Sequence, residues 1–267
     1  MAKAKKVAET QDAEIVEAGF FDMEAEAGSG FEHADSDSFA IPFLRVLQDL
    51  SPQVKKSKGE FIPGAQPGML FNTVSQELYP ADSNEGHPGV QVIPVEYRRA
   101  MVEWTPRDEG GGFVAEHPVG YEQGMERAGG KYITQSGNEI MDTRYHYVIL
   151  IKPDGGHEPA LITMGSSQIK TSKRWMSMMS NLRMTGASGN KFTPPIFSHA
   201  YTIRSKIESN DQGDWFGYAI SMLGPLVAED ADLFEAAKQF RGAVRTGALK
   251  EDYGKEASAE SADESAF

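Results

Sequence analysis

Apolar and polar positions follow two rhythms along this chain. Alternation with period two, or unbroken apolar runs, marks Gly68–Val74, Val90–Trp104, Glu139–Lys152, Ala160–Met164, His199–Ile207 and Trp215–Leu223 as strands. Tyr145–Ile151 is apolar on both faces, as a central strand requires. Pro94 places Val90–Trp104 at an edge or a bend. Pro153-Asp154-Gly155-Gly156 is a hairpin signal, and Gln135-Ser136-Gly137-Asn138 turns Lys131–Thr134 into the next strand. In His199–Ile207, Tyr201, Ile203 and Ile207 share one face, with Thr202, Arg204 and Lys206 on the other.

Helical spacing appears three times. Ile41, Leu44, Leu47 and Leu50 repeat through Phe39–Leu50, with Pro42 suited to a first turn. Within Ser166–Met184, Ile169, Met176, Met179 and Leu182 form an apolar stripe opposite Lys170, Lys173, Arg174, Ser177 and Asn181, and Ser166 or Ser167 is the expected cap. Asp230–Thr246 repeats Leu233, Ala236, Ala237, Phe240 and Val244 before Gly247. Thr185–Pro195, with Gly186, Gly189 and Pro194-Pro195, reads as a flexible loop.

Many strands, one helix inserted between two of them and no βαβ alternation predict one β-rich α+β domain over residues 39–247. An OB-like barrel with the inserted basic helix and a C-terminal amphipathic helix is the expected architecture. A twisted open sheet with flanking helices is the alternative. Residues 1–38 and 248–267 lose periodicity and read as a disordered acidic arm and a disordered acidic tail.

Composition narrows the function classes. The chain has no Cys, so disulfide and thiolate zinc sites are excluded, as expected in a reducing cytoplasm. No apolar run approaches the roughly 18–20 residues that span a bilayer, and the basic start of the chain lacks the apolar stretch of a secretory signal. The formal charge of −13 is concentrated at the ends. Residues 1–39 carry three Lys against ten acids and residues 250–267 two Lys against six, leaving the middle almost neutral. Pro159–Ile207 has no Asp or Glu in 49 residues and seven basic ones: Lys170, Lys173, Arg174, Arg183, Lys191, Arg204 and Lys206. That local inversion of sign is the strongest signal in the chain.

Other chemistry is poorly marked. His33, His87, His117, His146, His157 and His199 lack ligand spacing, and the nucleophile-elbow, P-loop and dinucleotide motifs are absent. Glu96 with Glu103, and Glu139 with Asp142, fall on opposite sides of their segments and do not make a metal-dependent nuclease site. Basic and aromatic residues recur together, however: Tyr97-Arg98-Arg99 with Trp104, Arg144 beside Tyr145, Lys173-Arg174-Trp175 with Lys170, and Tyr201 with Arg204 and Lys206. Cations along a backbone and rings under bases are what single-stranded nucleic acid requires. A lone ring beside a cation on a strand is more often core, and Tyr147, Phe216 and Tyr218 look most core-like. Trp175, bordering a basic helix face, is the leading stacking candidate.

The last residues add a second sign. Glu260, Asp263 and Glu264 precede Phe267, an aromatic beside a carboxylate on an acidic tether. On Lys250–Phe267 the chain resembles the bacteriophage single-stranded DNA-binding proteins of the podophage type, whose OB-fold core carries an acidic tail ending in Phe. The segments Ile41–Ser51 and Ser166–Trp175 also resemble phage replication-region proteins. The tail here is less acidic than the family's usual one, with Ala and Ser interleaved, and the acidic N-terminal arm is a further departure.

The resemblance implies a non-catalytic protein without cofactor that coats single strands during phage replication and recombination in the host cytoplasm. The tail, through Glu260, Asp263, Glu264 and Phe267, would recruit phage or host polymerase and helicase–primase and compete with DNA for the basic groove. A homo-oligomer is left open. Two other classes stand beside this: an interaction or structural protein, such as a host-enzyme inhibitor or assembly factor, and a metal-dependent nuclease.

Overall fold

In chain order the strands are β1 (Leu44–Val46), β2 (Leu70–Asn72), β3 (Leu78–Tyr79), β4 (Val90–Trp104), β5 (Phe113–His117), β6 (Glu126–Ala128), β7 (Lys131–Ile133), β8 (Glu139–Ile151) and β9 (His157–Met164). Helix α1 (Ile169–Ser180) follows, then β10 (Met184–Thr185), β11 (Lys191–Phe192), β12 (His199–Asn210), β13 (Gly213–Pro225) and α2 (Ala231–Arg245). This computed structural model describes residues 29–33, 40–128, 131–211 and 213–247. The acidic arm, apart from residues 29–33, and the acidic tail lie outside the described residues. No helix among the described residues is long and apolar enough to cross a membrane.

The two longest runs of strand-forming sequence pair with each other. β4 and β8 run antiparallel from Gln91 opposite Ile151 to Trp104 opposite Glu139. β12 and β9 flank one end of this ribbon, with β13 outside β12. β5 and β7 flank the other end, with β6 outside β7. Val95 is an extra residue where the register shifts between Pro94 and Glu96, and β12 pairs with β4 only over Val90–Val92. Proline has no N–H to give a neighbouring strand, and a bulge bends the strand that carries it. The bend predicted from Pro94 is therefore observed. The strand path β13-β12-β4-β8-β7-β6 does not return on itself, so no barrel closes among the described residues. The β-rich α+β class holds, with an open antiparallel sheet in place of the expected OB-like barrel.

Both faces of the β12-β4-β8-β9 region are covered, which is why its strands read as continuous apolar runs. Val90, Val92, Val148, Leu150, Ala160, Ile162, Tyr201 and Ile203 pack under α1 and the small sheet β1-β2-β3. Ile93, Val95, Tyr147, Ile149 and Leu161 face the other way, against Ala237 and Phe240 of α2. The predicted helix at Phe39–Leu50 is corrected: its described part is extended and contains β1. Ile41 and Phe43 join the α2 side, Leu44 and Val46 the α1 side, and Leu47 a third cluster with Phe71. Residues that must enter several clusters cannot lie on one helical stripe, so tertiary packing overrides the local spacing.

α1 is fixed through its inner residues Ser172, Trp175 and Met179, all buried. The apolar stripe is thus rotated from the expected Ile169, Met176, Met179 and Leu182, of which only Met179 is fully inside. The Trp175 ring stacks on His146 of β8 at 4.7 Å and meets Tyr201 of β12 edge-on at 5.7 Å. The Tyr97 ring of β4 lies 5.1 Å from His146, tilted by 54°. Ser172 Oγ and His146 Nε2 are 2.8 Å apart. Burial, reinforced by the Arg144 charge, pushes the His146 pKa down to about 3, so the ring is neutral at pH 7. Neither expected serine caps α1. Gln168 is its N-cap residue, without a side-chain bond to the helix, and its amide instead reaches Glu208 of β12 and Tyr218 N of β13.

Truncating Trp175 to Ala removes a fully buried ring and is expected to cost about 3–5 kcal/mol in urea unfolding. Acidification tests the state of His146. Its native pKa lies below the unfolded value, so the unfolded chain binds the extra proton and stability falls as pH drops below about 6.5. His199, also depressed by burial, adds to the same trend. Between pH 6 and 5 the stability of the wild type should fall more steeply than that of His146→Gln, by up to about 1.4 kcal/mol per pH unit. Equal slopes would mean that His146 is not held neutral.

Candidate nucleic-acid interface

With Trp175 turned inward, α1 presents Lys170, Lys173 and Arg174 to solvent. No acidic side chain pairs with them among the described residues, and the sequence places none within the window around them. Three cations at spacings of three and four residues lie on neighbouring turns of one face and repel one another by a few tenths of a kcal/mol per pair. Lys170 also sits in the first turn, where the helix dipole disfavours positive charge, and that turn has no acid to offset it. The arrangement costs stability and concentrates positive potential on one patch.

The other expected cations are treated differently. Arg99 Nε and Nη2 each lie 2.8 Å from an Asp142 oxygen, and Arg144 Nε and Nη2 lie 2.9 Å from the same pair. Arg144 Nη1 also donates to Tyr97 OH at 2.9 Å. Burial would raise the Asp142 pKa, but the hydrogen bonds from Arg99 and Arg144 outweigh it and hold the carboxyl below its ordinary value. Arg98 sits on the opposite face, over the Tyr145 ring at 4.4 Å, and forks onto Glu116. Lys206 pairs with Glu208 at 2.8 Å, and Arg204 Nε donates to the His87 carbonyl at 3.1 Å.

Strand alternation places Arg204 and Lys206 on the face away from Tyr201 and Ile203, as the sequence indicated. α1 packs on the Tyr201 side, so its cations and these two lie on different faces of the sheet. The stacking expectation is corrected for three rings. Trp175 and Tyr201 are fully buried, and Trp104 is buried against Phe113 at 5.9 Å. Each fills core space that no smaller residue would fill, so none has a free face for a base. Tyr97 is occupied by His146 and Arg144. Glu260, Asp263, Glu264 and Phe267 lie outside the described residues.

A ring that sequence reasoning missed is available instead. The segment read as a flexible loop after α1 forms the hairpin β10–β11, with Met184 opposite Phe192 and Thr185 opposite Lys191. Phe192 is 45% exposed and Met184 39% exposed. Arg183, just before β10, donates to the Ser180 and Leu182 carbonyls at the end of α1 and remains exposed. The hairpin follows α1 directly and carries Lys191 and the exposed Phe192 on its two opposite faces, with Arg183 just before it. The only sign of it in the sequence is Lys191-Phe192 between Gly189 and Pro194, too short for a periodicity.

The family model described as Pam3 phage gp34-like protein matches residues 8–250. The chain belongs to the Pam3 phage gp34-like family. No curated protein and no solved structure matches it. The family is a phage family, in keeping with the phage side of the resemblance, and its description names no activity.

Acidic clusters are the remaining sites in this family member. Among the described residues no three His, Asp or Glu side chains converge as a metal site would. Glu103 lies in a polar cleft of about 670 Å³, where Asn138 donates to one of its oxygens at 2.6 Å and His117 Nε2 lies 2.6 Å from the other. Burial would raise the Glu103 pKa, but the contacts with Asn138 and His117 hold the carboxyl below its ordinary value.

Because Lys170 opposes the helix dipole and two neighbouring cations, Lys170→Glu should stabilise the fold by about 0.5–1 kcal/mol. The expected readout is a higher urea midpoint with unchanged denaturant slope. A lower midpoint would show that Lys170 has a stabilising contact.

Proposed function

We propose that the protein is a non-catalytic, sequence-tolerant binder of single-stranded DNA acting in phage replication or recombination in the host cytoplasm. The observation that carries this reading is the set of exposed cations Lys170, Lys173 and Arg174 on α1, which have no acidic partner among the described residues, followed in the chain by Arg183, Lys191 and exposed Phe192. Elsewhere Arg98, Arg99, Lys131, Arg144, Lys152 and Lys206 are engaged by carboxylates. A chain of charge −13 that keeps a 49-residue window free of acids has a local use for positive potential.

In this reading the five cations neutralise successive phosphates and Phe192 stacks under a base. A single strand is favoured because a short hairpin with one protruding ring suits an unstacked base, not the edge of a paired one. The acidic residues of 248–267 would compete with DNA for the same cations and offer Glu260, Asp263, Glu264 and Phe267 to polymerase or helicase–primase. An alternative is a protein-interaction role, in which the basic face docks an acidic partner such as a host enzyme.

Titration of labelled oligo-dT at two salt concentrations tests the proposal. With about five phosphates contacted, log K should fall with log salt at a slope near −3.5, so a fourfold rise in salt weakens binding roughly a hundredfold. Phe192→Ala should lose about 1–3 kcal/mol of affinity. Lys173→Glu with Arg174→Glu should abolish binding at moderate salt while the fold is kept. No binding at low salt, even after removal of residues 250–267, would overturn the proposal in favour of the protein-partner reading.

A further inference from the structure

β13 is an edge strand: it pairs with β12 on one side and with no other strand among the described residues. The first half of that edge is closed by side chains. Phe216 N donates to Gln48 Oε1 at 2.8 Å, and Gln48 Nε2 donates to the Phe216 carbonyl at 2.8 Å. Tyr218 N donates to Gln168 Oε1 at 3.0 Å. Two glutamines from distant segments thus act as a surrogate strand.

Backbone groups that point out of a sheet recur every second residue. Phe216 and Tyr218 point away from β12, so Ile220 and Met222 follow in the same phase. Ile220 lies opposite Ile203 and Met222 opposite Tyr201, with no register shift between Phe216 and Met222. No hydrogen bond joins the outward groups of Ile220 or Met222 to another described residue. Beyond them Leu223 is an extra residue at a bulge, and Pro225 ends the strand.

Exposed edges are usually blunted by charge, by Pro or by a covering element. Trp215–Gly224 contains no charged residue. Met222 is 48% and Leu223 52% exposed, and Ser221 between Ile220 and Met222 is exposed as well. The open edge is therefore short, uncharged and apolar on a protein whose net charge is −13.

We infer that Ile220–Met222 is a self-pairing edge through which two copies of the chain join antiparallel about Ser221. The two open residues are spaced so that Ile220 of one copy exchanges N–H and C=O bonds with Met222 of the other, and the reverse. No other register pairs both open residues of each copy while leaving the Gln48 and Gln168 bonds intact. The uncharged segment lets like meet like, and Met222 and Leu223 of both copies cover one another. An acidic or basic peptide would find no complementary charge here. So short a contact buries less than the roughly 800 Å² per partner of a standard interface, and the dimer forms reversibly with concentration.

The chain has no cysteine, which makes Ser221→Cys a clean reporter. Pairing about residue 221 makes it a non-hydrogen-bonded pair with Cα atoms about 4.5 Å apart, within disulfide reach. The full chain carrying Ser221→Cys should form a disulfide-linked dimer under mild oxidation in native buffer. Adding Met222→Lys, an edge-blocking charge at an exposed position, should reduce the yield at least tenfold. In the wild type, the Ile220 and Met222 amides should exchange more slowly as protein concentration rises. Failure of Ser221→Cys to link, linkage equal in denaturant or with Met222→Lys, or amide exchange independent of concentration would each overturn the inference.

Discussion

The packing of Trp175 against His146 and Tyr201 is the contact on which the arrangement of the surface depends. A helix lying on a sheet has one free variable once its position is set, its rotation about its own axis. A fully buried indole, a hydrogen bond between Ser172 and a neutral imidazole and Met179 one turn further on fix that rotation. With the inner face fixed, Lys170, Lys173 and Arg174 have no direction but outward. Their exposure follows from core packing. Protonation of His146 would introduce a charge at the centre of this row, which is why its neutrality matters to the whole helix.

Two ways of handling positive charge coexist in the fold. On β4 and β8, Arg99 and Arg144 share Asp142 in paired forks, a partly buried cluster in which each charge has a partner and planar geometry. That cluster ties adjacent strands near the start of α1 and needs no ligand. On α1 the cations are spaced to repel, Lys170 stands against the helix dipole, and none of the three pairs with an acid among the described residues. Interactions arranged for stability would have placed a Glu or Asp in that first turn. Arginines paired with carboxylates in the sheet thus contrast with helix cations that have no acidic partner among the described residues.

Much of the architecture was legible because strands buried on both faces leave long apolar runs. Val90–Trp104 and Tyr145–Ile151 are strands where their composition placed them, and Pro94 marks the bulge. Phe39–Leu50 misled because its apolar residues serve three clusters, a demand set by tertiary neighbours and invisible to local spacing. Closure was not legible either: whether a sheet rolls into a barrel depends on which edges meet, and here β13 and β6 remain ends. For the site, charge was legible and aromatic role was not. The same ring type serves core and stacking, and Trp175, Tyr201 and Trp104 all went to the core. Phe192 escaped notice because a two-residue strand has no period.

The central claim is that one cationic face, α1 with its following hairpin, engages the phosphate backbone of single-stranded DNA. Lysine-reactivity footprinting of the full chain, with and without oligo-dT at low salt, tests it most directly. The account expects Lys170, Lys173 and Lys191 to become protected while Lys152 and Lys238, paired with Glu158 and Glu235, stay unchanged. Unaltered reactivity at Lys170 and Lys173 with saturating DNA, or equal protection of all five lysines, would contradict it.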